Sequence, residues 1–484
     1  MQAFNPYLPS FEYVPDGEPY VYNNRLYVFG SHDKFNGTQF CMNDYVCWSA
    51  PLENLGNWKY EGIIYKKSQD PSAKEDSIMQ APDIIQGADG RFYLYYTLGL
   101  CPYMAVAVSK IITGPYEYMG VVKDKNGIPV GIRQSGQMEE TLDGKDVFQF
   151  DPGIFIDEDK RVYLYSGFAP EANGIFAAAC QKYHLDGAYV MELEADMYTI
   201  KTEPKRIVPG IEEATGTSFE KHPFFEASSM KKINKKYYFI YSSILSHELC
   251  YAVSDYPDRA FEYGGILISN GDLGVQDNTI PRNYLGNTHG GIEKVNGRWY
   301  VFYHRQTNRH QYSRQGCAER IVMDENGYFI QAEMTSCGLN SKPLIGSGTY
   351  EARIACNLWG KEGALTYGLA ETPEAENHPY FTQDGEDREE EGNQYIANMQ
   401  EGATAGYKYF NLQRLKRITI ETSCADGEMW VHTDLKKEPL CKISIKEKSA
   451  TFPAITGIYP LYFVYHGDGA VDFYEFRLEE NICE

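Results

Sequence analysis

Along the chain, apolar and aromatic residues gather into short runs of strand length, separated by Gly, Pro, Asn and Asp turns, which predicts strands rather than helices. Five of these runs repeat one another: 24–29, 90–95, 160–165, 235–240 and 297–302. Each is a turn or basic residue leading into β-branched and aromatic residues. Their central tyrosines, Tyr27, Tyr93, Tyr163, Tyr238 and Tyr300, lie 66, 70, 75 and 62 residues apart. A near-regular period of that size with β composition predicts an all-β chain built on a five-bladed β-propeller.

A second regularity carries the chemistry. Ten to twelve residues before each tyrosine stand Asp16, Asp83, Asp151, Glu226 and His289. Each lies beside a strand-like run that should be the innermost strand of its blade, so the five groups are expected at one end of the central channel. Any one of them alone reads first as a strand cap at a polar turn. Four carboxylates and a histidine at one register are costly as bare structure, because like charges repel and burial penalises them. Together they point to a site.

Between the repeats, 121–147 and 168–215 read as longer loops on the pocket rim, with a helix-compatible stretch near 204–214. The repeat ends near Gly338. From 346 the chain is first poor in pattern and rich in acid, above all at 386–391, and reads there as a solvated loop. Strands follow at 404–410, 417–422, 428–433, 440–445, 459–465 and 471–478, predicting a small antiparallel β-sandwich. Two domains are therefore expected, 1–340 and 346–484, in line with the length of 484 residues.

Charge narrows the partners. The formal net charge of −22 argues against nucleic acid and against an anionic membrane surface, both of which need a basic face. No apolar run is long enough to span a bilayer. The N-terminus lacks a basic segment followed by an apolar core, which leads us to expect a cytoplasmic protein, or a secreted one had a leader been removed. Eleven scattered cysteines without Cys-x-x-Cys spacing favour neither a disulfide framework nor a zinc site.

The motifs, taken in this order, resemble glycoside hydrolase family 43, the five-bladed enzymes acting on arabinose- and xylose-containing glycans. The resemblance covers about residues 5–340. Pro15-Asp16 before Tyr20-Val21-Tyr22 is similar to the first-blade aspartate motif, with the usual proline displaced to Pro19. Ala81-Pro82-Asp83 resembles a Trp-Ala-Pro-Asp motif with Gln80 in place of tryptophan. Phe150-Asp151-Pro152 and Phe225-Glu226-Ala227 resemble the other carboxylate motifs, and Asn287-Thr288-His289 the histidine motif. Tyr312-Ser313-Arg314-Gln315 resembles the segment that brings an arginine to the site. The C-terminal sandwich resembles a family 6 carbohydrate-binding module.

The resemblance implies an inverting hydrolase releasing arabinofuranose or xylose from short plant-type oligosaccharides, with Asp16 as base, Glu226 as acid and Asp151 orienting the acid and raising its pKa. An inverting pair must stand roughly 6.5–9.5 Å apart to admit water. Asp33, Asp83, Phe150 and Arg314 are the candidate substrate-binding groups, Asp33 reading equally as a turn-former. No cofactor is required. A structural calcium ion in the channel, met by His289 through water, is one expectation, and a hydrogen-bonded histidine without metal is the other. The sandwich is a candidate for glycan binding, for pocket closure or for a homo-oligomer contact. Two rivals remain: a fructan-type five-bladed enzyme, whose Arg-Asp-Pro and Glu-Cys motifs differ from those here, and a lectin-like propeller that binds without turnover.

Overall fold

The structure is a computed structural model and describes residues 2–133, 146–174, 178, 180, 182–366, 376–389 and 393–480. Five four-stranded antiparallel sheets succeed one another along the chain. Their inner strands are Glu18–Tyr22, Met79–Gln86, Gly153–Ile156, Phe224–Ile233 and Ile292–Val295. The tyrosine repeats form the second strands, Arg25–Phe29, Phe92–Leu98, Val162–Gly167, Lys236–Ser243 and Arg298–Thr307.

These second strands are apolar on both faces because each blade is packed between two neighbours. Within one strand, Phe92, Leu94 and Tyr96 pack towards blade one, whereas Tyr93 and Tyr95 pack towards blade three. The same period of two builds cores between blades three and four and between four and five. A fifth core, with Leu26, Val28 and Trp48 against Tyr300 and Phe302, joins blade five to blade one and closes the ring.

Among the described residues no strand is exchanged between the first and last blades to fasten that closure. Instead the N-terminal stretch lies along blade five. Asn5 Nδ2 donates to Ala318 O at 2.9 Å, and Asn5 Oδ1 accepts Ala318 N at 3.0 Å. Tyr7 N donates to Gly316 O at 3.3 Å.

The loop expected over 168–215 is only partly a loop. Gly187–Leu193 and Lys205–Pro209 are the third and fourth strands of blade three. The helix-compatible stretch near 204–214 contributes a single 3₁₀ turn, Ile211–Glu213. Pro204 and Pro209 bracket Ile207-Val208, so β-branched residues and missing amides outweigh the helical pattern there. Within the other rim loop, expected over 121–147, residues 134–145 lie outside the described residues.

The C-terminal β domain is one sheet system of ten strands wrapped around a single apolar core. The runs 404–410 and 417–422 belong to one long strand, Thr404–Thr422, whose partner Ser449–Asp468 is equally long. The segment read as a solvated loop also contains strands, at Gly348–Glu351, Asn357–Trp359, Tyr380–Thr382 and Tyr395–Met399. They are three to five residues long, too short to show a period.

The two domains share buried polar contacts. Lys408 Nζ reaches Asp272 Oδ2 at 2.7 Å and Glu333 Oε1 at 3.0 Å, all but excluded from solvent. Asn357 Nδ2 donates to Asp272 Oδ2 at 2.9 Å, and Tyr409 Oη donates to Glu333 Oε2 at 2.9 Å. Removing one partner of such a cluster leaves uncompensated buried charge. Lys408→Met is therefore expected to lower stability by about 3 kcal/mol, read as an earlier urea-unfolding midpoint for the full chain.

Candidate active site

Three carboxylates gather where the inner strands begin. Asp16 and Asp151 each sit two residues before an inner strand, and Glu226 sits in a bulge at the head of the inner strand of blade four, where the register shifts on both sides of it. The backbone there is unusual. Asp16 has φ 56°, Asp151 φ 47°, and Ala227, next to Glu226, φ 71°. Aspartate tolerates the left-handed region better than most residues, alanine poorly. Strain of this kind persists only where the surroundings impose it.

Two side chains surround Asp16, one donor and one acceptor. Arg314 Nη1 lies 3.0 Å from Asp16 Oδ1. His304 donates Nε2–H to Asn287 O at 2.7 Å, which leaves Nδ1 as the acceptor for the Asp16 amide at 3.4 Å. Burial alone would raise the Asp16 carboxyl, but the Arg314 guanidinium reverses this and holds the group well below the usual carboxylate range. Burial keeps His304 below its ordinary value, hence neutral.

Arg314 is in turn gripped by Asp33. Its Nε and its backbone amide donate to Asp33 Oδ2 at 2.9 and 3.0 Å, and its Nη2 donates to Asp33 Oδ1 at 3.0 Å. The Phe40 ring lies 4.7 Å from the guanidinium carbon. Asp33 and Arg314 are thus a buried pair, neither a turn cap nor a surface salt bridge.

Glu226 is the opposite case. It keeps a partly exposed edge on the pocket, yet burial of its carboxyl, and next the negative charge of Asp151, push its pKa up to about 8. Asp151 Oδ2 accepts the Ala227 amide at 3.1 Å and faces His289 Nδ1 at 3.4 Å. Burial would lower His289, but Asp151 outweighs it and raises the imidazole to about 9. Two carboxyls in one pocket therefore hold different protonation states at neutral pH, the arrangement an acid–base pair requires.

Phe150 belongs to an aromatic wall beside these groups. Its ring centre is 5.0 Å from that of Phe168, which is 5.4 Å from that of Phe225. Gly167 N donates to Phe150 O at 3.0 Å and Ala169 N to Phe225 O at 2.8 Å, so the wall also ties blade three to blade four.

Asp83 does not join this group. The inner strand of blade two starts four residues before it, and both its oxygens accept backbone amides, from Ile84 at 2.7 Å and Ile154 at 2.8 Å. That places it inside the channel, joining blades two and three. Burial, and then the charge of Asp83, raise Glu18 to about 8, while His289 and Lys231 pull it back. Lys231 Nζ is paired with Glu293 Oε2 at 2.7 Å. Glu18 approaches Gly291 so closely that a Cβ there would meet Glu18 Oε2 at 2.4 Å.

Sequence reasoning missed His304, although a signal exists. Four residues after each repeat tyrosine stand Ser31, Thr97, Gly167, Ser242 and His304. Four are small, and the exception is the residue that touches Asp16.

Known proteins with similar sequence or structure bear on this arrangement. The family model of glycosyl hydrolases family 43 matches residues 5–329. A xylosidase/arabinosidase of Thermoclostridium stercorarium is 44% identical over 99% of this chain and 99% of its own length. A xylosidase/arabinosidase of Bacteroides ovatus is 27% identical, covering 63% of this chain and 89% of its own. Among solved structures, a Bacillus subtilis arabinoxylan arabinofuranohydrolase in complex with cellotetraose shares the fold of both domains, with 17% identity, TM-score 0.50, and 99% and 97% of the two chains covered. The Xanthomonas citri GH43_1 enzyme complexed with xylose shares the propeller, with 22% identity, TM-score 0.51, and 67% and 91% covered. The chain belongs to glycosyl hydrolases family 43 and is a glycoside hydrolase.

Proposed function

We propose that the enzyme releases terminal arabinofuranose or xylose from short pentose-containing oligosaccharides by single displacement. The observation that carries this reading is the split between Asp16, held ionised by Arg314, and Glu226, held protonated beside Asp151. The name of the Thermoclostridium stercorarium relative supports the sugar class. Asp16 takes a proton from water as the water oxygen bonds to the anomeric carbon. The glycosidic C–O bond breaks, and Glu226 gives its proton to the departing oxygen. Asp151 keeps Glu226 protonated and fixes the adjacent backbone. Arg314, with Asp16 and Asp33 both upon it, acts mainly on Asp16. Phe150 and its neighbours exclude water from one side.

A structural calcium ion fits the channel in part. Glu18 Oε1 is a buried carboxylate oxygen with no protein partner among the described residues, and hard oxygens are what calcium prefers. His289, engaged by Asp151, would meet the ion through water. Bound there, calcium would relieve the repulsion between Glu18 and Asp83, a task Lys231 already shares. With chelated protein, calcium is expected to raise the melting temperature and to give one site by titration calorimetry, while turnover survives chelation. No shift and no heat would leave Lys231 as the channel cation.

The catalytic reading is tested by release of 4-nitrophenol from the α-L-arabinofuranoside and the β-D-xylopyranoside. Asp16→Asn and Glu226→Gln should each lower turnover about a thousand-fold with unchanged melting. Near-normal turnover in either variant removes that residue from its role, and binding without turnover by the wild type returns the lectin-like reading.

The pH profile is a separate check. Activity should fall as pH rises through the Glu226 value of about 8, because the deprotonated carboxylate has no proton to give. Asp151→Asn removes the negative charge that helps to hold that proton. The alkaline limb of kcat/KM should then move to lower pH; a limb that stays in place would dissociate it from Glu226.

A further inference from the structure

The segment between the first two strand pairs of blade one carries Asp33, Phe40 and Cys41, yet residues 31–44 contain no strand. Asn36 and Cys41 adopt φ 55° and 56°. Isolated hydrogen bonds must therefore set its position. Cys41 N donates to Asp33 Oδ1 at 2.9 Å from within the segment. The propeller holds its ends, where Asp33 N donates to Tyr13 O at 2.9 Å, Met79 N to Cys41 O at 3.1 Å and Lys67 Nζ to Met42 O at 3.0 Å, and further supports come from the C-terminal domain.

Asp387 uses both its oxygens there. Oδ1 accepts Phe35 N at 2.8 Å, and Oδ2 accepts Asn43 Nδ2 at 3.1 Å. The same Asn43 amide donates to Asp33 O at 3.0 Å. Arg388, at φ 61°, places Nη1 2.8 Å from each Glu12 oxygen. Glu12 is fully buried and also takes Trp48 Nε1 at 2.8 Å and His32 Nε2 at 2.9 Å. Gln383 accepts Tyr13 Oη at 2.7 Å, while Tyr13 O accepts Asp33 N at 2.9 Å. The second domain thus grips the segment at Phe35, at Asn43 and beside Asp33, and the buried Lys408 cluster prevents it from drifting.

We propose that Asp387 is a positioning residue of the active centre: it fixes the 33–43 segment so that Asp33 holds Arg314 against Asp16. The C-terminal domain is then a working part of the hydrolase. The proposal rests on the catalytic reading above for its kinetic consequence, but its structural half can be read without any substrate.

The test uses the full chain with Asp387→Ala, Asp387→Asn and, as control, Glu386→Ala at an exposed neighbour. Hydrogen–deuterium exchange should quicken across amides 35–43 in Asp387→Ala and less in Asp387→Asn, which keeps an acceptor for Phe35 N. kcat/KM should fall about ten-fold. The acid limb should rise by about one pH unit as Arg314 slackens. Besides Arg314, Asp16 faces His304, His289 and Glu226, none of which these substitutions touch. Unchanged exchange and an unmoved acid limb, with or without a lower melting temperature, would reduce Asp387 to a docking contact and overturn the proposal. If the wild type cleaves neither pentoside, the catalytic reading falls, and the exchange experiment alone decides whether Asp387 holds the segment.

Discussion

The whole site depends on one buried cation shared by two aspartates. Arg314 is 2% exposed and would be prohibitively costly there without partners, since a buried ion loses several kcal/mol of hydration. Asp33 supplies a two-toothed partner whose geometry matches the guanidinium fork. That leaves Nη1 to point at Asp16. Asp33 therefore neutralises and orients the arginine, and the arginine keeps Asp16 ionised. Replacing it by lysine would retain charge but not the fork, so the direction of the remaining N–H would be lost.

The contrast between Asp16 and Glu226 follows from neighbours, not from residue type. Both are buried carboxyls, and burial raises both. Asp16 has a guanidinium against its oxygen. Glu226 has a like charge at Asp151 instead. The backbone takes part in both halves. The left-handed turn at Asp16 is met by His304 at its amide, and that at Ala227 by Asp151. Each of the two carboxyls is thus aimed by a strained residue whose N–H is held by another side chain of the site.

How much of this could be read from the sequence varies by element. The five tyrosine strands were legible because each is buried between two blades and must be apolar throughout. The three carboxylates and His289 were legible because each stands eleven or twelve residues before its repeat tyrosine. Asp83 stands ten before its own and does not share the place, since both its oxygens are taken by the backbone amides of Ile84 and Ile154, which only hydrogen bonding reveals. His304 stood at a periodic position occupied elsewhere by small residues, so a comparison between blades could have found it. The segment 346–403 was not legible: its strands are too short for a period, and its acidic residues include Asp387, whose partners lie more than three hundred residues away in the chain. Every cysteine among the described residues is a free thiol, as the absence of paired spacing suggested.

The strand that carries Arg314 explains why the N-terminal stretch and the C-terminal domain converge on one blade. His310–Met323 is the third strand of blade five, but the fourth, Phe329–Ile330, pairs only with Val322 and Met323. The part from His310 to Ala318 would otherwise be an open edge, prone to pairing with foreign strands. Asn5 and Tyr7 take its backbone groups at Gly316 and Ala318. Beside it on the second strand, Arg305 has its donors on Ala355 O at 2.9 Å, Gln315 Oε1 at 3.0 Å and Gln394 Oε1 at 3.4 Å. Two of those three acceptors belong to the C-terminal domain, and the Phe381 ring lies 3.7 Å from the guanidinium carbon. A blade left unfinished by its own fourth strand is completed by the N-terminal stretch and the second domain. Because Arg314 lies on that blade, completing the fold and fixing the Asp16–Arg314 pair are one structural event.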